Sequence, residues 1–369
     1  MRTLHLPQDA DPFARGVFHG RTLAREIDEI ARIRSELAQA QGLFRSEREL
    51  LEVAERHLPV LEAFDSALYQ ELLGIAEGAR VSPARIVVLN HYTDLKDLDP
   101  KKVLDVADVQ RTTPDRDDEC SMIAAATSEG ALLGQTWDMH GTAAPYVVML
   151  HVPALGSRPE AWLLSIAGCL GMTGMNTAGV GITINNLRSQ DARVGLVWPA
   201  LVRRVLAETS ASGGRDVVMG APLGSGHHYA VADAMHGFGI ETSGQLVELW
   251  SELDMTQPGS AFHHENHCLG TEVAKVSSVA TMSTTLERHA FLEASLRQTP
   301  ITGGADLWAR LGSHDGFPRS VCTHLSTTAS PHAMLTCAGI LMNLTQKRIW
   351  ARAGCLSGEA PTELQFASA

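Results

Sequence analysis

The residue whose setting most suggests chemistry is Cys120. It follows residues 96–119, a charged stretch with two prolines that is predicted to be an exposed connector, and it begins a β-rich stretch. A cysteine is a nucleophile only as a thiolate, so it needs a base or a positive charge beside it. Cleavage of the Glu119–Cys120 bond would create a base, because the new α-amino group would have a pKa of about 7.7–8.0. On position alone, a cysteine at the start of a strand is more often a small core residue.

Several short polar or glycine-containing segments accompany Cys120 in a fixed order. They are residues 71–78, 89–90, 120–121, 134–138 (Gly-Gln-Thr-Trp-Asp), 176–180 (Asn-Thr-Ala-Gly-Val) with Asn185 beyond it, and 265–268 (Glu-Asn-His-Cys). Their order and spacing resemble those of the acyl-coenzyme A:6-aminopenicillanic acid acyltransferase (isopenicillin N acyltransferase-like) family. This family lies within the N-terminal-nucleophile hydrolase superfamily, and the resemblance runs nearly end to end.

The resemblance implies an α+β fold, a four-layer αββα sandwich of the N-terminal-nucleophile hydrolase type. It also implies one structural domain made of two chains. Residues 1–119 would form a helical α chain that remains associated after cleavage, and residues 120–369 would form the β chain with the nucleophile. The product would be an αβ heterodimer from one precursor, and the intact chain would be a zymogen.

The same resemblance implies a reaction. Cys120 would attack the carbonyl carbon of Glu119 in an N-to-S acyl shift, and hydrolysis would release the new N-terminus. The mature thiolate would then attack a small linear amide and form a thioester. If water resolves this thioester, the enzyme is an amidohydrolase. If an amine acceptor resolves it, the enzyme is an acyltransferase that uses an amide or an acyl-coenzyme A donor.

The residues expected to carry the reaction are Cys120, Asp138 and Asn266. Asp138 would orient or polarise the amine and thiol of Cys120. Asn266 would donate a hydrogen bond to an oxyanion, since a neutral amide can stabilise charge that develops in the transition state. Asn185 and Ser121 are further candidates for contacts to the substrate or the oxyanion. The alternatives are that Asp138 caps a turn after a strand and that Asn266 only satisfies backbone groups.

The sequence departs from the family pattern in two places. The residue before the scissile bond is often glycine in the family, and here it is Glu119. The family's Ser-Ile-Cys-Arg segment appears as residues 320–323, Ser-Val-Cys-Thr, so Thr323 stands in place of the arginine. Arg319 and His324 are the candidates to replace that cation.

Two other classes of function stay open. His263, His264, His267 and Cys268 lie close together in the sequence and could form a zinc site in a metal-dependent hydrolase. Their order differs from the HExxH helix that presents two histidines on one face, so no metal and no cofactor is predicted. The third class is an unprocessed scaffold that binds without catalysis, which the charged residue Glu119 keeps open.

The predicted secondary structure changes character near residue 119. Before it, apolar spacing predicts helices over residues 25–40 and 66–76, with Gly78 as a C-cap, and a short helix from Pro83 to Val88. After it, residues 121–127 and 131–137 are predicted to form a hairpin. Further strands are predicted at 146–152, 162–167, 229–232, 239–242 and 245–250, helices at 198–209, 284–297 and 305–311, and a last hairpin at 334–342 and 348–353.

The composition limits the binding partners and the cellular location that can be expected for this chain. With 44% hydrophobic residues among 369, the chain can bury a large core. A net charge of −12 without a basic run argues against nucleic-acid or anionic-membrane binding. No signal peptide or stretch of about 18 apolar residues is apparent. Six cysteines without CxxC spacing are typical of free thiols in a reducing compartment, so a cytoplasmic location is expected.

Overall fold

The computed structural model of the chain describes residues 1–104, 119–324 and 333–367. Most of the connector predicted at 96–119 lies outside these ranges. Its described ends correct the expectation of an exposed loop, because Lys96 lies buried in a helix and Glu119 is buried as well. In the described part of the chain, no helix is long and apolar enough to cross a membrane.

Six helices dominate residues 1–104. They are α1 (Pro12–Thr22), α2 (Ala24–Gln41), α3 (Glu47–Glu55), α4 (Leu58–Phe64), α5 (Ser66–Ala79) and α6 (Pro83–Asp97). The later described residues add four more. These are α7 (Trp198–Val205), α8 (Ala211–Met219), α9 (Thr285–Gln298) and α10 (Gly304–Leu311). Short 3-10 helices occur at Pro100–Lys102, Gly141–Tyr146 and Val273–Val276.

The described strands form two sheets. In chain order the strands are β1 (Thr3–His5), β2 (Met122–Thr127), β3 (Gly130–His140), β4 (Val147–Val152), β5 (Ala161–Ile166), β6 (Thr173–Asn176), β7 (Gly181–Ser189), β8 (Gly226–Ala232), β9 (His236–Thr242), β10 (Val247–Asp254), β11 (Ala261–His264), β12 (Ser277–Ser278), β13 (Met334–Asn343), β14 (Arg348–Ala353) and β15 (Thr362–Leu364). The larger sheet has the order β1-β4-β5-β6-β7-β8-β9-β10, with β12 paired to β7. The smaller has the order β11-β2-β3-β13-β14-β15.

The strand β2 shows how the layers are separated. Its alternate residues Ile123 and Ala125 share a core with Leu307 of α10. Met122 and Ala124 belong instead to the larger core that includes both sheets. Because side chains alternate across a strand, the smaller sheet has helices α9 and α10 on one face and the larger sheet on the other. With α6 and α8 against the outer face of the larger sheet, the order is αββα, and the predicted fold class is confirmed.

Helices α1 and α5 pack with their backbones in close contact. A Cβ atom at Gly16 would lie 2.0 Å from the carbonyl oxygen of Glu71, and one at Gly74 would lie 2.1 Å from that of Phe13. Only glycine allows this approach. Gly78 is part of the same contact inside α5, so the prediction that it caps the helix was wrong. The C-cap of α5 is Arg80, with φ of 59°.

Residues 1–104 are joined to the rest of the chain by buried polar contacts. The guanidinium of Arg203 donates two hydrogen bonds to the carboxylate of Glu71, at 2.8 and 2.9 Å. The amide of Asn90 donates to the Gly168 carbonyl at 2.9 Å and accepts from the Leu170 backbone at 2.9 Å. Strand β1 also extends the larger sheet in parallel with β4. The N-terminal segment is therefore an integral part of the core.

Most predicted elements are present, with altered limits. The helix predicted from Pro83 to Val88 runs on to Asp97, because almost all of its residues are buried and no amphipathic period marks its second half. Helices α1, α3, α4 and α8 were not predicted. Most of them are short, and α1 contacts α5 through glycines rather than through an apolar stripe.

Substitution of Gly74 by alanine tests the close contact of α1 and α5. The added methyl group would overlap the Phe13 carbonyl, so the free energy of unfolding should fall by about 1–3 kcal/mol or more. Gly220→Ala is the control, because there the nearest atom to a new Cβ is 3.4 Å away and φ is −98°. Urea unfolding of both variants measures the difference, and equal stabilities would contradict the proposed packing role of Gly74.

Candidate active site

The peptide bond between Glu119 and Cys120 is held at the start of the β2–β3 hairpin. The backbone N–H of Glu119 donates to the carbonyl of Asp138 at 3.0 Å, and the N–H of Asp138 donates to the carbonyl of Glu119 at 2.9 Å. Asp138 is near the end of β3, and Cys120 is buried just before β2. The hairpin thus places the Glu119 carbonyl and Asp138 side by side.

Two asparagines hold Cys120 from other strands and loops. The backbone N–H of Cys120 donates to Oδ1 of Asn266 at 2.8 Å, and Nδ2 of Asn266 donates to the carbonyl of Asn186 at 2.9 Å. From β7 of the larger sheet, Nδ2 of Asn185 donates to the Cys120 carbonyl at 3.1 Å and to the His264 carbonyl at 3.1 Å. Both sides of the Cys120 backbone are therefore bonded.

A cation that the sequence analysis missed lies at the centre of this site. Arg288, on α9, has a side chain with 0% exposure. Its Nη1 donates to the Cys120 carbonyl at 2.7 Å and to Oγ of Ser121 at 2.8 Å, and its Nη2 donates to Oδ1 of Asn266 at 2.9 Å. The same Nη2 lies 3.4 Å from Oε2 of Glu119. One guanidinium thus binds four of the candidate residues.

The carboxylate of Glu119 is buried and fully occupied by hydrogen bonds. Its Oε1 accepts from Oγ of Ser283 at 2.7 Å and from the backbone N–H of Thr284 at 2.7 Å. Its Oε2 accepts from Oγ1 of Thr284 at 2.5 Å, and Arg288 supplies the opposite charge. A buried carboxylate is tolerated when it is paired and hydrogen-bonded, which explains how glutamate can stand before the scissile bond.

Asp138 has the properties of a base that works near neutral pH. Its Oδ2 accepts from Oγ1 of Thr136 at 3.2 Å, and its Oδ1 is buried with no hydrogen-bond partner among the described residues. Burial raises the pKa of the Asp138 carboxyl to about 7, although Arg288 lowers it. A general base is most effective when its pKa lies near the working pH.

The thiol of Cys120 is protonated in this uncleaved state. Burial raises its pKa strongly, and the nearby Asp138 carboxylate raises it further, while hydrogen bonding from the Asp138 backbone and the charge of Arg288 lower it. A thiol in such a setting reacts only if its proton is removed by a neighbour. The carboxylate of Asp138 is the acidic group whose charge acts on this thiol.

Comparison with known proteins identifies the family of this chain. The family model described as "Acyl-coenzyme A:6-aminopenicillanic acid acyl-transferase" matches residues 125–354. The chain belongs to this family. It is 26% identical over 313 residues to the 40 kDa form of acyl-coenzyme A:6-aminopenicillanic-acid acyltransferase from Emericella nidulans. The aligned residues cover 84% of this chain and 76% of that enzyme. The chain is therefore an enzyme of an acyltransferase family.

The solved structures that match this chain are more distant from it in sequence. A conjugated bile acid hydrolase mutant from Clostridium perfringens is 11% identical, with a TM-score of 0.43, and covers 67% of this chain and 97% of its own. An N-acylethanolamine-hydrolyzing acid amidase ortholog from Caenorhabditis elegans is 13% identical, with a TM-score of 0.40, and covers 61% of this chain and 93% of its own.

The two candidates to replace the family's arginine at Thr323, Arg319 and His324, bind groups other than Cys120. Arg319 donates to Oε1 of Glu287 at 2.6 Å and to the Ser283 carbonyl at 2.7 Å, and His324 lies next to His314. The cation that contacts Cys120 is Arg288. One signal for it exists in the sequence, because no acidic residue stands three or four positions from Arg288 on its helix. Such an arginine must find its partner outside the helix.

The histidine-rich segment, residues 263–268, does not form the zinc site that the sequence suggested. Nε2 of His264 binds the Glu241 carboxylate at 2.8 Å, and Nδ1 of His267 binds Oγ1 of Thr285 at 2.8 Å. Among the described residues, His263 instead groups with Glu265 and His289. The carboxylate of Glu265 bridges these two histidines at 2.9 and 2.7 Å. The segment thus surrounds Asn266 with hydrogen bonds that hold it in position.

Removal of Arg288 should destabilise the site severely. Arg288→Ala leaves the buried Glu119 carboxylate without its cation and removes one donor from each of three buried acceptors, which should cost about 3–5 kcal/mol of unfolding free energy. Arg297→Ala is the matched control on the same helix, since its ion pair with Glu293 is 77% and 40% exposed and should matter little. Both changes are compared by urea unfolding in a Cys120→Ala background, which keeps the chain intact. A similar small effect for both would contradict the central role of Arg288.

Proposed function

We propose that this chain cleaves itself between Glu119 and Cys120 and then acts as a cysteine amidohydrolase on a small linear amide. The observation that carries the proposal is the position of Asp138. Its backbone N–H binds the Glu119 carbonyl at 2.9 Å, and its carboxyl, with a pKa of about 7, is close enough to the Cys120 thiol to raise the pKa of that thiol. One residue thus provides both a proton acceptor and a donor for the oxyanion.

The self-cleavage follows from these contacts. The carboxylate of Asp138 takes the thiol proton, and Sγ of Cys120 attacks the carbonyl carbon of Glu119. The oxyanion that forms accepts from the Asp138 N–H, which already binds that oxygen. The C–N bond then breaks, and the Cys120 nitrogen takes a proton from Asp138 to leave as an amine. Water hydrolyses the resulting thioester, so Glu119 gains a C-terminal carboxylate and the thiol is restored.

After cleavage, the α-amine of Cys120 serves as the base for the same thiol. Oδ1 of Asn266, which accepts from the Cys120 N–H at 2.8 Å in the intact chain, is placed to orient this amine. The oxyanion role predicted for Asn266 stays a prediction, since its Nδ2 now donates to Asn186. Asn185 and Ser121 line the same site through the Cys120 carbonyl and Arg288.

The two products of cleavage, residues 1–119 and 120–369, would stay together as an αβ heterodimer. Strand β1 pairs with β4, and the buried pair of Glu71 and Arg203 joins the two parts. Breaking such a buried pair leaves an uncompensated charge, so separation is opposed. The intact chain is a zymogen in this proposal, and its location is cytoplasmic, as the free cysteines indicate.

Acyl transfer is the second candidate. The Emericella nidulans relative is named for the transfer of an acyl group from acyl-coenzyme A to 6-aminopenicillanic acid. In this chain, an amine in place of water would attack the Cys120 thioester and form a new amide. The donor would be a small amide or an acyl-coenzyme A.

Product analysis separates the two reactions. The purified enzyme is incubated with a panel of small N-acyl amides, and separately with an acyl-coenzyme A, with and without 6-aminopenicillanic acid. We expect free acid from at least one amide without the acceptor, and none with Cys120→Ala. If only the acceptor's amide appears, the enzyme is a transferase. If wild type and Cys120→Ala behave alike, Cys120 is not the nucleophile.

The pH dependence of self-cleavage tests the role of Asp138. Because Asp138 must be ionised to accept the thiol proton, the rate should rise as the pH increases through about 7. Intact chain from cell-free synthesis is shifted to buffers from about pH 5.5 to 8.5, and the two products are followed by gel electrophoresis. Asp138→Asn should lower the rate by about 100-fold or more. Asp216→Asn, at an exposed carboxylate, should leave it unchanged, and a flat pH profile would contradict this role.

A further inference from the structure

A second group of reactive side chains lies apart from Cys120, at one end of the smaller sheet. It consists of His314, which follows α10, His324, and Cys355, which follows β14. One ligand atom from each of them lies within 4.8 Å of the others. The Nε2 atoms of the two histidines are 2.9 Å apart, and Nε2 of His314 is 3.4 Å from Sγ of Cys355. Three separate segments thus bring three donor atoms to one point.

The nitrogen–sulfur distance fits a tetrahedral metal ion, and the two nitrogens would have to move apart by about 0.4 Å to bind one. With Zn–N of about 2.0–2.1 Å and Zn–S of about 2.3 Å, two nitrogens of one tetrahedron lie about 3.3 Å apart, and a nitrogen and a sulfur lie about 3.5 Å apart. Two neutral imidazoles at 2.9 Å can otherwise share only one proton between their facing nitrogens. A bound cation would use both lone pairs and the thiolate together.

We propose that His314, His324 and Cys355 bind one divalent transition-metal ion, with zinc as the ion that this donor set favours. Two imidazoles and a thiolate suit zinc better than the hard cations magnesium and calcium, which take oxygen ligands. His324 is exposed and His314 is half-buried, so water can complete the coordination. Three protein ligands with an open fourth position are a common arrangement for zinc.

The surroundings of the three donors support metal binding. Oγ of Ser357 lies 3.4 Å from Nδ1 of His314 and 3.2 Å from Sγ of Cys355, so it can bind the ring nitrogen that does not face the metal. Burial lowers the pKa of His314, and His324 lowers it further, which favours the neutral imidazole that a metal needs. Burial raises the pKa of the Cys355 thiol, but hydrogen bonds from Ser357 and Cys322 outweigh this and lower it overall.

A metal here would stabilise the segment that leads to the active site. The N–H of Thr323, next to His324, donates to Oγ1 of Thr336 at 2.9 Å, and the N–H of Thr336 donates to the Thr323 carbonyl at 2.6 Å. Thr336 pairs with Asp138 across β13 and β3. Since the ion binds only the folded arrangement of these segments, it should raise the unfolding temperature.

The proposal is tested by metal binding to the full chain carrying Cys120→Ala, which removes the other nucleophilic thiol and keeps one covalent state. Protein freed of metal by chelation, and kept reduced, is titrated with Zn²⁺ and, for the spectrum, with Co²⁺. The readouts are binding stoichiometry by calorimetry, a thiolate-to-cobalt charge-transfer band, and the unfolding temperature. The test variants are Cys355→Ser and His314→Ala. The matched controls are Cys268→Ser and His236→Ala, which change the same residue types outside the cluster.

We expect one zinc ion per chain, a thiolate-to-cobalt band, and a higher unfolding temperature with zinc. Cys355→Ser and His314→Ala should each weaken zinc binding by about 100-fold or more, and the controls should bind as the parent does. Equal binding by all variants, or no thiolate band in the parent, would overturn the proposal. No zinc binding by the reduced parent, together with a mass lower by two hydrogens once the reductant is removed and air is admitted, would also overturn it, because Cys322 and Cys355, whose sulfurs are 3.9 Å apart, would then form a redox pair instead.

Discussion

The buried guanidinium of Arg288 is the interaction around which the active site is built. It binds the carbonyl of Cys120, the side chain of Ser121 and the amide of Asn266, and it also balances the charge of Glu119. These groups come from a hairpin, a loop and a helix that are far apart in the sequence. Without this cation, the Glu119 carboxylate would be a buried charge without a counter-ion and the other groups would each lose a donor, and such losses are costly.

This arrangement accounts for the latency of the intact chain in the proposed reaction. Burial and the Asp138 carboxylate raise the pKa of the Cys120 thiol, which keeps it protonated. In the proposed reaction, the Glu119–Cys120 peptide bond is the first amide that this thiol attacks. The carboxyl of Asp138, with its pKa raised to about 7 by burial, is the group that can release this state. The first turnover and the later ones would thus use the same thiol and differ in their base, which is Asp138 before cleavage and the α-amine afterwards.

The sequence predicted the layers and most of the nucleophile's surroundings but not the cation. Strands β2 and β3 are short runs rich in apolar residues on either side of a turn signal, so the hairpin and its approximate limits could be predicted. Arg288 could not be placed, because the absence of an acidic neighbour on its helix indicates only that its partner lies elsewhere, and its contacts are set by how α9 packs on the sheet. The same holds for His314, His324 and Cys355, which are joined only by tertiary packing. The prediction of an exposed connector was wrong at Lys96 and Glu119, because charged residues can be buried when the fold supplies their partners.

The intact mass of the purified chain, beside that of Cys120→Ala, tests the central claim most directly. The account predicts two species of 119 and 250 residues in the wild type, the larger one beginning with Cys120, and a single chain of 369 residues in the variant. A single full-length species in both would contradict self-cleavage and would favour a scaffold that keeps the fold without processing. Cleavage in both would show that Cys120 is not the nucleophile that performs it.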